Sequence, residues 1–189
     1  MAEVIPLRPR YRRPWKLWPR PFLVLRRYRW IIVGIAACAA IGFAIGPLQE
    51  RRVPIVGFAS IVDGDTIRIR GERIRLVGMD APELHQTCRD ASGRDWSCGS
   101  AARGRLAALV ASSTVTCSPT GHDRYGRTLA VCTSSTGGDL GGTLVREGLA
   151  VAYFSLDYKM AEIGARLGGR GLWAGDFERP QQWRKAHKH

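Results

Sequence analysis

Three carboxylates and three arginines sit at spacings that permit chemistry. Asp65 lies in "DGDTIRIR", and Asp80 and Glu83 lie in "IRLVGMDAPE", bracketing Ala81 and Pro82. Arg75 interrupts the apolar residues Ile74, Leu76 and Val77 just before them, and "DRYGR" supplies Arg124, Tyr125 and Arg127. Carboxylate and backbone carbonyl oxygens at ~2.3–2.6 Å are the ligands that calcium prefers. A planar guanidinium binds phosphate oxygens in pairs and keeps its proton. A cation and two arginines offset charge on a phosphoryl group, and a carboxylate takes a proton from attacking water. Together these are the parts of a phosphodiester hydrolase.

These residues need a scaffold. "DGDTIRIR" and "RIRLVG" alternate apolar and polar residues with period two, as half-buried strands do. Gly71 and Glu72 fit a two-residue hairpin loop with Gly first. That register sets Arg68 opposite Arg75 and Asp65 opposite Gly78, and makes Asp80 a diagonal neighbour of Asp65, ~7–8 Å away at Cα. Strict alternation turns Arg75 away from Asp80, so the strand must bulge or end near Gly78 for both to serve one site.

"IVGFASIV" reads as a strand before this hairpin. "SAARGRLAALVAS" reads as a helix capped by Ser100, and "TVTCSP" and "TLAVCT" as two more strands. "DLGGTLVREGLAVAY", capped by Asp139, and "YKMAEIGARLGGRGLW" read as two further helices. Three strands, a helix, two strands and two helices fit an α+β, mainly β, chain: a five-stranded OB-fold Greek-key barrel with three helices.

Charge and hydropathy divide the chain. The 189 residues carry a formal net charge of +13. Residues 1–50 hold nine Lys/Arg against Glu3 and Glu50, so half the excess lies there. Residues 1–29 read as a basic, disordered arm. Residues 30–49 are uncharged and at ~1.5 Å per residue nearly cross a ~30 Å hydrocarbon core. The positive-inside rule places the arm in the cytoplasm and the rest of the chain on the periplasmic or extracellular side of the inner membrane. An uncleaved anchor is the preferred reading; a cleaved signal peptide and lipidation at Cys38 are alternatives. Residues 50–54 are a linker, 55–175 the domain and 176–189 a basic tail.

Cys88, Cys98, Cys117 and Cys132 form an even set in an exported domain, which points to disulfides. Three pairings are possible. Sequence-adjacent pairing closes two short loops, each adding about 3 kcal/mol by chain entropy. No CxxC pair is present to suggest zinc.

"IVDGDTIRI", "IRLVGMDAPE", "DRYGR" and "LVREGLAVAY", in this order and at these separations, resemble the staphylococcal nuclease (thermonuclease) family over residues 55–175. The resemblance implies a calcium site made by Asp65, Asp80 and the carbonyl of Ala81. It implies Glu83 as general base, Arg75 and Arg127 as phosphate clamps, and Arg124 and Tyr125 as contacts to a neighbouring phosphate. Asp63 matches an acidic residue near the metal that is not a direct ligand. Ala81 stands where the best-known member has threonine, and the loop holding Cys88 and Cys98 resembles that of disulfide-containing relatives. The implied activity is cleavage of DNA and RNA, single strands favoured, to 3′-phosphate ends. The alternative is a membrane-anchored OB barrel that binds nucleic acid without cutting it. His85 and His122 are read as surface residues.

Overall fold

The computed structural model describes Tyr28, residues 31–36, Cys38 and residues 53–187. The chain divides into two units, Met1–Glu50 and Arg51–His189. In the first, the described residues are helical and exposed. Most of the expected span and nearly all of the basic arm lie outside the described residues. Among the described residues, no helix is long and apolar enough to cross a membrane.

The second unit is built on a curled sheet. Its central hairpin pairs β3 (Thr66–Ile69) with β4 (Glu72–Leu76), and the alternating residues Ile67, Ile69, Ile74 and Leu76 are buried. The tip is Arg70–Gly71, with φ of +50° and +86°, rather than Gly71–Glu72. Two positive φ values define the turn whose twist matches the strands, which favours glycine at one of its central positions. The register is therefore Ile67 with Ile74 and Thr66 with Arg75, two residues from the expected one. A shift of two keeps every side chain on its expected face.

The "IVGFASIV" segment, expected as one strand, is split by the exposed Phe58 into β1 (Ile55–Gly57) and β2 (Ala59–Ile61). β2 pairs with β3, whereas β1 pairs with β8 (Val115–His122). β9 (Thr128–Ser134) lies between β8 and β4, antiparallel to the first and parallel to the second. The order is β1-β8-β9-β4-β3-β2, with the short β10 (Gly138–Asp139) on β9. Because β1 and β2 are consecutive in the chain, the two ends of this path meet and the sheet curls into an OB-like barrel.

Helix α1 (Cys98–Val110) lies in the chain between the barrel strands β4 and β8 and buries Ala102, Leu106, Leu109 and Val110 in the core. Its cap position is Ser97, three residues before the expected cap at Ser100. The early start brings Gly99 against the backbone of the Glu83 loop, where a Cβ would run into the Glu83 carbonyl. Helix α2 (Leu140–Arg146) follows Asp139, as expected, but stops well short of Tyr153. Gly148 takes a φ of +74° and lies against the Arg170 carbonyl, which leaves no room for a side chain. The following residues become β11 (Val151–Ala152), paired with β5 (Met79–Asp80). Helix α3 (Leu156–Leu167) is capped by Ser155, whose hydroxyl accepts from the Tyr158 amide; a 3₁₀ turn follows at Gly171–Ala174. The tail segment holds a further helix, α4 (Pro180–Ala186).

The cysteines pair in sequence order. Cys117 and Cys132 face each other across β8 and β9, with Cα atoms 4.1 Å apart. Cys88 and Cys98, 5.7 Å apart at Cα, tie β6 (Cys88–Arg89) to the start of α1. β6 pairs with β7 (Asp95–Trp96) in a small hairpin. This second disulfide, Val151 and Leu172 form a satellite cluster with Trp96, Trp173 and Phe177. The unit thus encloses its own core.

Gly99 ties the helix to the Glu83 loop. Gly99→Ala should cost about 1–3 kcal/mol by overpacking, as urea unfolding of residues 51–189 would read. An unchanged midpoint would mean that α1 and the loop are not in forced contact.

Candidate active site

The barrel hairpin and the turn after it bring the candidate residues together. β4 ends at Leu76, and Gly78, at φ +81°, turns the chain into β5. This is the break that the alternation problem demanded, and it swings Asp80 back toward Arg75. Arg75 Nη2 donates to Asp80 Oδ1 at 2.9 Å, and Arg75 Nη1 is ion-paired with Asp65 Oδ2. The two carboxylates therefore converge through a shared guanidinium, not as diagonal cross-strand neighbours. Both are buried, with side chains 7% and 6% exposed.

Asp65 is fixed further by Thr66, whose hydroxyl donates to Oδ1 at 2.7 Å, and its amide donates to Asp63 Oδ1 at 3.1 Å. Burial pushes the Asp65 carboxyl from its usual 3.8 up to about 7, outweighing the opposing pull of Arg75; Asp63 adds to the rise.

Arg127 enters from the β8–β9 turn. Its Nε donates to Asp123 Oδ2 at 2.7 Å, and its Nη1 lies 3.5 Å from the Thr66 hydroxyl. Asp123 also accepts from the amides of Tyr125 and Arg127, and Gly126 closes the turn at φ +75°. These bonds hold the Asp123 carboxyl below its usual range despite its partial desolvation. Asp123 is thus the brace of the turn, a role signalled by an aspartate three residues before a glycine. Tyr125 is exposed, and the Arg124 guanidinium lies 4.8 Å from its ring centre and donates to its hydroxyl at 2.7 Å.

Asp63, Asp65, Arg75, Asp80, Ala81 and Glu83 line one open cleft of about 790 Å³ with Arg124, Tyr125 and Arg127. Tyr153 joins them. His85 and His122 are exposed and are not among the lining residues.

Two residues in this region had no sequence signal. Gln86 is fully buried; its Oε1 accepts from the Glu83 amide at 3.2 Å and its Nε2 donates to the Glu178 carbonyl at 2.6 Å. It clamps the Glu83 loop to the C-terminal segment. That segment then delivers Arg184 from α4 into the cleft. Arg184 Nη2 donates to Asp80 Oδ2 at 2.9 Å, and its Nη1 to Asp80 Oδ1 at 3.1 Å and Glu83 Oε1 at 2.7 Å.

Residues 73–175 match the family described as staphylococcal nuclease homologue. The chain belongs to that family. It is 40% identical over 124 residues to the succinoglycan biosynthesis protein ExoI of Rhizobium meliloti (strain 1021), covering 64% of this chain and 65% of that one, just under two thirds of its length. It is 35% identical over 148 residues to the micrococcal nuclease of Shigella flexneri, covering 68% of this chain and 79% of the relative. An uncharacterized endonuclease of Escherichia coli O157:H7 is 36% identical over 133 residues, or 66% of this chain and 80% of that protein.

Family membership raises the question of a metal. Among the described residues, no group of three or more His, Cys, Asp and Glu is gathered as for a metal ion. Two buried aspartates share one guanidinium, and a second sits on Asp80, so positive charge attends both carboxyl groups. Their oxygens and the Ala81 carbonyl are hard donors, which fit calcium or a similar divalent cation with water completing the shell.

The raised Asp65 value has a consequence for stability. The folded state holds a proton that the unfolded chain releases near pH 3.8. Without divalent cations, stability should therefore fall as pH rises from about 4 to about 7, by up to about 1.4 kcal/mol per pH unit. Urea midpoints across this range should flatten in Asp65→Asn. Identical profiles for the two proteins would refute the buried, protonated carboxyl.

Proposed function

We propose that this chain is a calcium-dependent, sugar-nonspecific endonuclease that hydrolyses phosphodiester bonds of DNA and RNA to 3′-phosphate ends. The observation that carries the reading is the convergence of Asp65, Asp80 and Glu83 with Arg75 and Arg127 on one open cleft. Family membership supports it, as do the endonuclease and micrococcal nuclease names of the relatives.

Asp65, Asp80 and the carbonyl of Ala81 would hold the cation. When bound, it supplies positive charge against the phosphoryl oxygens and acidifies water. Arg75 and Arg127 line the cleft and bind the phosphoryl oxygens, steadying the charge that grows on them. Asp123 fixes the angle of Arg127 through its Nε. Glu83 takes the proton of the attacking water. As that oxygen bonds to phosphorus, the bond to the 5′ oxygen breaks and that oxygen takes a proton from solvent water, leaving a 3′-phosphate and a 5′-hydroxyl. Arg124 and Tyr125, at the exposed rim, contact the neighbouring phosphate. Single strands suit this cleft, because a barrel surface of this kind tracks a flexible backbone.

Residues 30–49 anchor the protein in the inner membrane as a single pass, and the four paired cysteines suit an oxidising exterior. After carbonate washing, full-length protein should stay with membranes, whereas residues 51–189 should be soluble. Recovery of the full chain in the soluble fraction would remove the anchor.

One observation favours the alternative, a nucleic-acid-binding module that does not cut: the Glu83 carboxylate accepts from Arg184 at 2.7 Å. Cleavage of single-stranded DNA by residues 51–189 separates the two. Calcium should support cutting and chelator abolish it. Glu83→Gln should lower the rate by about 10²–10⁴-fold, and Arg127→Ala by about 10²–10³-fold. End-labelling should find 3′-phosphates. DNA binding without cleavage by the wild type would leave the binding module as the function.

A further inference from the structure

Arg184 occupies the atoms that the proposed reaction needs. Its guanidinium takes both oxygens of Asp80 and one oxygen of Glu83, at 2.7–3.1 Å. A divalent cation would use the same Asp80 oxygens, and a general base must have its own oxygen free. These three contacts cannot coexist with a loaded site and a working Glu83. Arg184 also brings a full positive charge next to the place where the cation would sit.

The way Arg184 is mounted suits exchange. It sits on α4, a short helix at the end of the chain, and its side chain is 37% exposed, so water can receive it when it leaves. The stretch before α4 is held more firmly. The Arg89 amide donates to the Asp176 carbonyl at 2.8 Å, Gln86 binds the Glu178 carbonyl, and a Cβ on Gly175 would meet the carbonyls of Arg89 and Asp90. The disulfide-closed loop therefore fixes the base of the segment, Pro180 buries the first turn of α4, and Arg184 lies in its last turn.

Taking the nuclease reading as its basis, we propose that Arg184 is a built-in competitor for the divalent cation and thereby sets the metal affinity of the site. In the cation-free protein, Arg184 neutralises Asp80 and engages Glu83. Cation binding displaces Arg184 from both, which frees Glu83 in the same event. The apparent affinity for the cation is lowered by the fraction of molecules in which Arg184 is seated.

Calcium binding to residues 51–189, followed by titration calorimetry without nucleic acid, tests this directly. If Arg184 is seated in about nine molecules of ten, Arg184→Ala should bind calcium about 10-fold tighter than wild type. Arg184→Gln, which keeps length and loses charge, should behave alike. Lys185→Ala removes the same charge from the same helix without touching the carboxylates, and should change the affinity less than about 2-fold. In chelator, Arg184→Ala should melt below wild type, and saturating calcium should close that gap. Equal or weaker calcium binding by folded Arg184→Ala and Arg184→Gln would overturn the competition while leaving the metal site intact. An equal gain in Lys185→Ala would overturn it too, as a general charge effect. Absence of calcium binding in every protein would overturn both the competition and the metal-dependent reading beneath it.

Discussion

The structure depends on keeping two carboxyl groups side by side and out of water. Asp65 and Asp80 are almost wholly buried, and an isolated buried carboxylate costs several kcal/mol unless a cation or donors attend it. Arg75 answers for both at once. That single guanidinium dictates much of the local backbone. β4 must end after Leu76, Gly78 must take a positive φ, and β5 must leave the barrel sheet to pair with β11. Any straighter path would carry Asp80 to the other face.

The same need explains why the cleft is braced from several sides. Thr66 and Asp63 tie down Asp65, Asp123 ties down Arg127, and Gln86 ties down the backbone at Glu83. Each brace is a polar contact of 2.7–3.2 Å, the kind of contact that holds charged groups in place before a ligand arrives. The barrel supplies the rigidity: Ile67, Ile69, Ile74 and Leu76 bury one face of the hairpin, so its other face cannot slip in register without exposing them.

Much of this was legible in the residues. The alternation of β3 and β4, the helix after the hairpin and the break at Gly78 follow from local pattern alone. The gathering of Asp65, Arg75, Asp80, Glu83 and Arg127 in one cleft was implied by the resemblance that four separated motifs carry. The hairpin register was not legible, because Gly71 fits either central position of a two-residue turn and only the backbone chooses. The early end of α2 was hidden because its cause, Gly148 against the Arg170 carbonyl, joins distant parts of the chain. Arg184 reaches Asp80 across 104 positions from a tail that reads only as polar and basic. Gln86 and Glu178 are separated by 92 positions and meet through a backbone carbonyl, which leaves no trace in residue type.

The disulfide loop gains a purpose from these contacts. Cys88 and Cys98 join the chain just after Gln86 to the start of the helix whose Gly99 presses on Glu83. One covalent closure thus steadies the loop bearing Glu83 and the platform from which α4 departs. A loop held by such a closure keeps its shape best where disulfides persist, in an oxidising environment.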